Sequence, residues 1–165
     1  MGRVGLLWLC GFAVGCAGSS WNGSIYDDGV VRYRVGERAS GFERVEVEDN
    51  DLAFHDRRLG TISVNSTCSE YEDVPPQALL NHLLFGMEER NFRLEEEVTL
   101  DGRGAAHAIV DVSLDGVPIS LEIYMLRKDG CVYDLTLTSA RSRFAEARRA
   151  FATFVRGFSV LETRL

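Results

Sequence analysis

From residue 91 to residue 138 the chain alternates apolar and polar side chains, interrupted at Asp101-Gly102, Asp115-Gly116 and Lys128-Asp129-Gly130. A period of two belongs to strands, and Asp-Gly supplies the positive backbone angles that tight hairpins need. The stretch therefore predicts a four-stranded antiparallel meander, and a sheet of that length has to be covered by something apolar. Two segments can do it. Asp73 and the Pro75-Pro76 pair announce a helix running to about residue 87, with Leu79, Leu80, Leu83, Leu84 and Met87 along one stripe and Phe85 on the opposite side, free for a second layer or a partner. A closing helix at about 142–158 carries Phe144, Ala147, Phe151, Phe154, Val155 and Phe158 at helical spacing. Three shorter strand-like runs, at 42–48, 51–55 and 61–68, precede the first helix. Three strands, a helix, four strands and a helix make an α+β domain: a mainly antiparallel sheet covered by two helices.

Turn lengths set the register within the meander. A two-residue Asp115-Gly116 loop pairs Leu114 with Val117, Val112 with Ile119, Val110 with Leu121, Ala108 with Ile123 and Ala106 with Met125, all of them apolar. At Lys128-Asp129-Gly130 a three-residue loop sets Tyr133, Leu135 and Leu137 beside Met125, Ile123 and Leu121. A two-residue loop would bring Asp134 onto the apolar face, so burial favours the longer turn. The opposite face then carries His107, Tyr124 and Asp134 in one row, and a three-residue turn at 101–103 adds Glu97 to its end. Arg93, Asp111, Ser120 and Thr138 make a second row. An imidazole, a phenol and carboxylates in line are the groups of a proton relay or a ligand cradle, and equally those of a solvated face with cross-strand hydrogen bonds. Glu97, His107, Tyr124 and Asp134 are thus the candidate binding face. His55 and His82 stand apart from other metal-ligand types.

The N-terminus reads as an address. Met1-Gly2-Arg3 is a short positive start, residues 4–14 are apolar, and small residues follow, which is the plan of a secretory signal. The apolar run is too short to span a bilayer. Its end, Ala13-Val14-Gly15-Cys16 followed by Ala17-Gly18-Ser19-Ser20, resembles the lipobox of bacterial lipoproteins, with Ala13 where that family prefers Leu. The resemblance implies lipidation at Cys16, and Ala17 in place of Asp implies sorting to the outer membrane, facing the periplasm. The alternative is an ordinary secretion signal cut near Ala17. On the lipobox reading residues 1–15 are the signal, 16–30 a flexible tether, and 31–165 a single domain.

Of the four cysteines, Cys10 leaves with the signal and Cys16 takes the lipid, so the domain keeps Cys68 and Cys131. An exported pair at that separation points to a disulfide, worth about 4 kcal/mol on the chain-entropy estimate. A metal or redox pair would need close spacing and neighbouring histidines, and neither is present. Asn22-Gly23-Ser24 and Asn65-Ser66-Thr67 fit the glycan-acceptor pattern, which has no meaning in a bacterial lipoprotein.

The formal charge is -7, and -8 once Arg3 leaves with the signal (-7 minus 1), with basic residues scattered. That balance argues against nucleic acid as a partner, since phosphate charge demands a basic face. No G-x-S-x-G, H-E-x-x-H or glycine-rich phosphate loop is present, so no catalytic residue, metal or cofactor is assigned and the reading is not an enzyme.

The Pro-led helix, the meander with Asp-Gly turns, and the strand Tyr133-Asp134-Leu135-Thr136-Leu137-Thr138 leading to a Phe-rich helix ending Val155-Arg156-Gly157-Phe158 resemble the PsbP-like fold. That family includes the photosystem extrinsic protein and the nuclear-import factor that binds the GTPase Ran. The resemblance spans about residues 31–160 and implies a docking or assembly domain. The expectation is an envelope lipoprotein that binds another envelope protein. The alternatives are a carrier of small molecules or ions using the polar sheet face and, third, a periplasmic hydrolase.

Overall fold

A computed structural model describes residues 18–48, 50–68 and 74–165. The lipobox, with Cys16, and Asp73 lie outside the described residues. The elements run β1 (Ser20–Trp21), β2 (Ile25–Asp27), β3 (Val31–Arg34), β4 (Glu43–Val45), β5 (Leu52–Asp56), β6 (Gly60–Cys68), α1 (Pro76–Leu83), β7 (Glu88–Leu100), β8 (Arg103–Leu114), β9 (Val117–Lys128), β10 (Cys131–Ala140), α2 (Phe144–Arg156) and β11 (Ser159–Thr163). They form two antiparallel sheets with two helices, which is the α+β class expected. One sheet has the order β1-β2-β3-β11, the other β4-β5-β6-β10-β9-β8-β7.

Three expectations need correction. Residues 16–30 are not all tether: β1 and β2 lie within them, and Tyr26 is buried against Tyr33 with ring centroids 5.0 Å apart. Trp21 and Tyr26 supply the apolar contacts that hold this segment down, although its many small and polar residues read as linker. The three strands expected before the first helix are six, because β1, β2 and β3 are too short for a clear alternation. A further strand, β11, follows α2.

The third correction is the turn at residue 129. Asp129 and Gly130 have φ of 52° and 79°, and the loop is two residues long, with Cys131 opposite Lys128. Asp101-Gly102 and Asp115-Gly116 adopt the same pair of positive angles. Two positive angles in succession match the twist of a two-residue hairpin, and Asp-Gly is a preferred sequence for it. Turn chemistry therefore overrode the burial argument, and β10 is slipped by one residue from the expected register. Asp134 pairs with Met125, and Tyr133, Leu135 and Leu137 pair with Leu126, Tyr124 and Glu122. The β8–β9 register is as expected throughout, from Leu114 with Val117 to Ala106 with Met125.

The slip is tolerated because both faces of the large sheet are covered. On one face the small sheet and α2 enclose a core of Tyr33, Phe54, Tyr133, Phe151, Phe154 and Phe158. On the other, α1 lays Leu80 and Leu84 over Ala106, Ala108, Val110, Leu121 and Ile123. The leucine stripe of α1 is the one expected, and Phe85 is 83% exposed beyond its end. α2 is held close to β3 because Gly36 meets the backbone of Thr153 and Gly157, where a side chain would have no room. β6 and β10 are tied by the disulfide between Cys68 and Cys131, which stand directly opposite each other.

Candidate functional site

The expected row of Glu97, His107, Tyr124 and Asp134 divides between the two faces. His107 and Tyr124 stay together under the α2 side, where the rings stack with centroids 4.0 Å apart and planes 12° from parallel. Asp134 lies on the α1 side through the one-residue slip. Glu97 joins that side as well, because the Asp101-Gly102 turn is also two residues long and pairs Glu97 with Ala106. The residue beside His107 is Glu96.

Around His107 the strands assemble a network. Glu96 on the edge strand β7 places Oε1 2.9 Å from His107 Nδ1, and Glu122 on β9 places Oε1 2.9 Å from Nε2. Both ring nitrogens of His107 are thus taken up by carboxyl groups. Arg148 on α2 reaches down with Nε donating to both oxygens of Glu122, at 3.1 and 3.0 Å. Tyr124 O–H donates to Glu122 Oε1 at 3.5 Å, and its own pKa is pushed up to about 12, first by burial and then by the Glu122 charge. The Glu122 side chain is 3% exposed and is satisfied from three directions. Over this network runs an open groove of about 350 Å³, lined by Glu122, Tyr124, Ala145, Arg148, Arg149 and Ala152. The second expected row survives in part: Ser120 donates to Asp111 at 2.5 Å and Arg93 pairs with Asp111 at 3.3 Å, while Thr138 faces the other way.

Sequence reasoning missed Glu96, Glu122 and Arg148 as members of one network. Glu122 sits two residues before Tyr124 and so shares its face, a signal the pattern did contain. Arg148 could not be found that way, since nothing in the sequence says which helix covers which face. On the α1 side Asp134 accepts a hydrogen bond from Asn65 Nδ2 at 3.1 Å, and burial pushes its carboxyl up to about 6 against the pull of that bond. His55 sits on β5 with Nδ1 3.0 Å from Thr61 Oγ1, and His82 lies on α1; neither reaches the His107 network. Among the described residues no group of three or more His, Cys, Asp or Glu is placed to hold a metal ion.

No family model matches the chain, and no curated protein matches it in sequence. Solved structures do match in fold. LpqN of Mycobacterium tuberculosis, described as involved in cell envelope biogenesis, is 10% identical with a TM-score of 0.57, covering 80% of this chain and 86% of that one. The cyanobacterial PsbP of Synechocystis is 16% identical, covers 94% of this chain and 99% of that one, and has a TM-score of 0.53. PA94 of Pseudomonas aeruginosa, a protein of unknown function, is 12% identical over 78% of this chain and 85% of that one, with a TM-score of 0.53. The chain has a PsbP-like fold. At these identities the likeness extends to the fold alone.

Proposed function

We propose that this is a lipid-anchored protein of the bacterial envelope whose PsbP-like domain is a non-catalytic module, binding a protein partner in the groove beside α2. One observation carries the reading. The imidazole, the group best suited to proton transfer, has both nitrogens held by carboxylates and one ring face covered by Tyr124, which leaves it no free edge for a substrate. The groove above it offers exposed Arg148 and Arg149 around a tyrosine ring, residue types that anchor protein interfaces and would meet acidic groups on a partner. Support for the envelope comes from the signal-like start, the lipobox resemblance at Cys16, the disulfide of an oxidising compartment, and a fold shared with a protein of envelope biogenesis.

Crosslinking in cells, followed by mass spectrometry of the membrane fraction, tests both parts. The expected result is a specific protein adduct that disappears in Ala152→Glu, which fills the groove with a repelling charge. Cys16→Ser should block acyl labelling and release the domain from membranes. An adduct unchanged in Ala152→Glu would remove the groove from the proposal. A wild-type protein that takes no acyl label would remove the anchor.

A further inference from the structure

The face of the large sheet under α1 is covered over only part of its width. Leu80 and Leu84 are buried against β8 and β9, but Leu79 and Leu83 lie only partly buried at the flank of the helix. Beyond that flank β10 and β6 turn polar, with Asp134 and Thr136 beside Asn65 and Thr67. Between helix and strands opens a cavity of about 190 Å³, lined by Thr67, Leu79, His82, Leu83, Met125, Val132 and Asp134. Four of those residues are apolar, and Asp134 is the one carboxylate among them.

The placement of Asp134 is costly. Its hydrogen bonds come from neutral groups, the Asn65 amide and the Thr136 hydroxyl, the Asp51 carboxyl repels it, and among the described residues no basic side chain forms an ion pair with it. Beside it, Asn65 Oδ1 is shut away from solvent without a hydrogen-bond partner. A patch kept for stability would replace such groups by apolar ones of similar shape, so the arrangement reads as a site. We infer that the cavity beside α1 binds a small organic cation, an ammonium group on a compact apolar body, with the nitrogen on the Asp134 carboxylate and the body against Leu79, Leu83, Met125 and Val132. The overall negative charge favours approach of a cation. The volume exceeds the roughly 150 Å³ in which an engineered apolar cavity admits benzene. A metal ion is a poorer occupant, because only His82 and Asp134 of the lining are of ligand type.

The pH dependence has a definite sign. A cation needs ionised Asp134, so affinity falls as acid protonates a carboxyl poised at about 6. The other groups facing the cavity region are His82 on α1 and Arg127 on β9, whose guanidinium donates to the Val74 carbonyl at 3.5 Å. Positive charge on either opposes a cation, so neither reverses the trend.

The test is a titration of the folded protein with 2-phenylethylamine, and with 2-phenylethanol as its neutral counterpart, followed by amide chemical shifts at pH 7.5 and pH 5. The expected result is saturable binding at Leu79, Leu83 and Val132, with the amine about tenfold tighter than the alcohol at pH 7.5, and most of that preference lost at pH 5. In Asp134→Asn both probes should bind alike, and in Leu83→Ser both should weaken. No saturable binding, equal binding of the two probes by the wild type, or an amine preference that survives Asp134→Asn would overturn the assignment. None of these outcomes bears on the groove beside α2, which lies on the opposite face.

Discussion

The two faces of the large sheet each draw a carboxylate out of solvent, Glu122 wholly and Asp134 in part, and they treat it differently. Under α2, Glu122 is met by an arginine, an imidazole and a phenol, so its charge is matched as fully as its hydrogen-bonding capacity. Beside α1, Asp134 is met by an amide, a hydroxyl and a set of apolar side chains, with no cation. A buried charge that is fully paired behaves as part of the framework, and removing one member leaves the others stranded. A buried charge left half-paired weakens the framework, and its removal is a relief. Position in a β-sheet is thus a poor guide to the role of a carboxylate, and the sign of the stability change on neutralising it is a better one.

The sharpest way to break this comparison is at Glu122. Glu122→Ala leaves the buried His107 ring without its Nε2 partner, while the half-exposed Arg148 turns to solvent, and should lower stability by about 2–3 kcal/mol in urea unfolding, the cost of an unsatisfied buried polar group. A loss below about 1 kcal/mol would mean that the network is not part of the framework. The second measurement is at Asp134, with the opposite sign. Its folded pKa of about 6 lies above the ordinary value of 3.8, so the folded state binds the proton more tightly than the unfolded chain does. Its contribution to stability is therefore favourable below about pH 4 and is lost as pH rises through 6. Asp134→Asn should raise the unfolding free energy by about 1–2 kcal/mol at pH 7.5 and leave it nearly unchanged at pH 4, which flattens the profile between them. A variant less stable than wild type at pH 7.5 would place Asp134 in the same class as Glu122. The smallest effect is expected at Glu96, whose side chain is 46% exposed: Glu96→Gln should change stability by less than about 1 kcal/mol and lose even that in high salt.

Much of this was written in plain view. The meander, both helices, the leucine stripe and the cysteine pair follow from spacing alone, because each depends on neighbours close in sequence or on a pairing with one sensible outcome. The candidate site was legible only in half. His107 and Tyr124 belong together because the Asp115-Gly116 turn pins β8 to β9, and that turn was read correctly. Asp134 was misplaced because its position hangs on the next turn, where a carboxylate beside Met125 looked forbidden. That judgement assumed one buried face and one wet one. With a helix on each side neither face is wholly wet, Asp134 comes to rest half-buried at the open flank of α1, and the local preference of Asp129-Gly130 decides the register. The network partners are fixed by tertiary packing: Arg148 meets Glu122 across 26 residues of sequence, and no periodicity connects them.

The pairing of β3 with β11 sets a schedule for the whole molecule. Val31 is paired with Thr163, and the Arg164 amide closes onto the Val30 carbonyl at 2.8 Å, so the small sheet joins β3 to the strand that follows α2. A chain that emerges from its N-terminus can form α1 and the β8–β9 hairpin early, since those contacts are local. It cannot cover Tyr33, Tyr133 and Phe158 until the final turn of chain is free. During that interval a large aromatic surface stands open, the state in which an unfinished chain is most prone to aggregate. Removing β11 would therefore not merely trim the small sheet; it would take away the strand that closes β3 over the larger of the two cores.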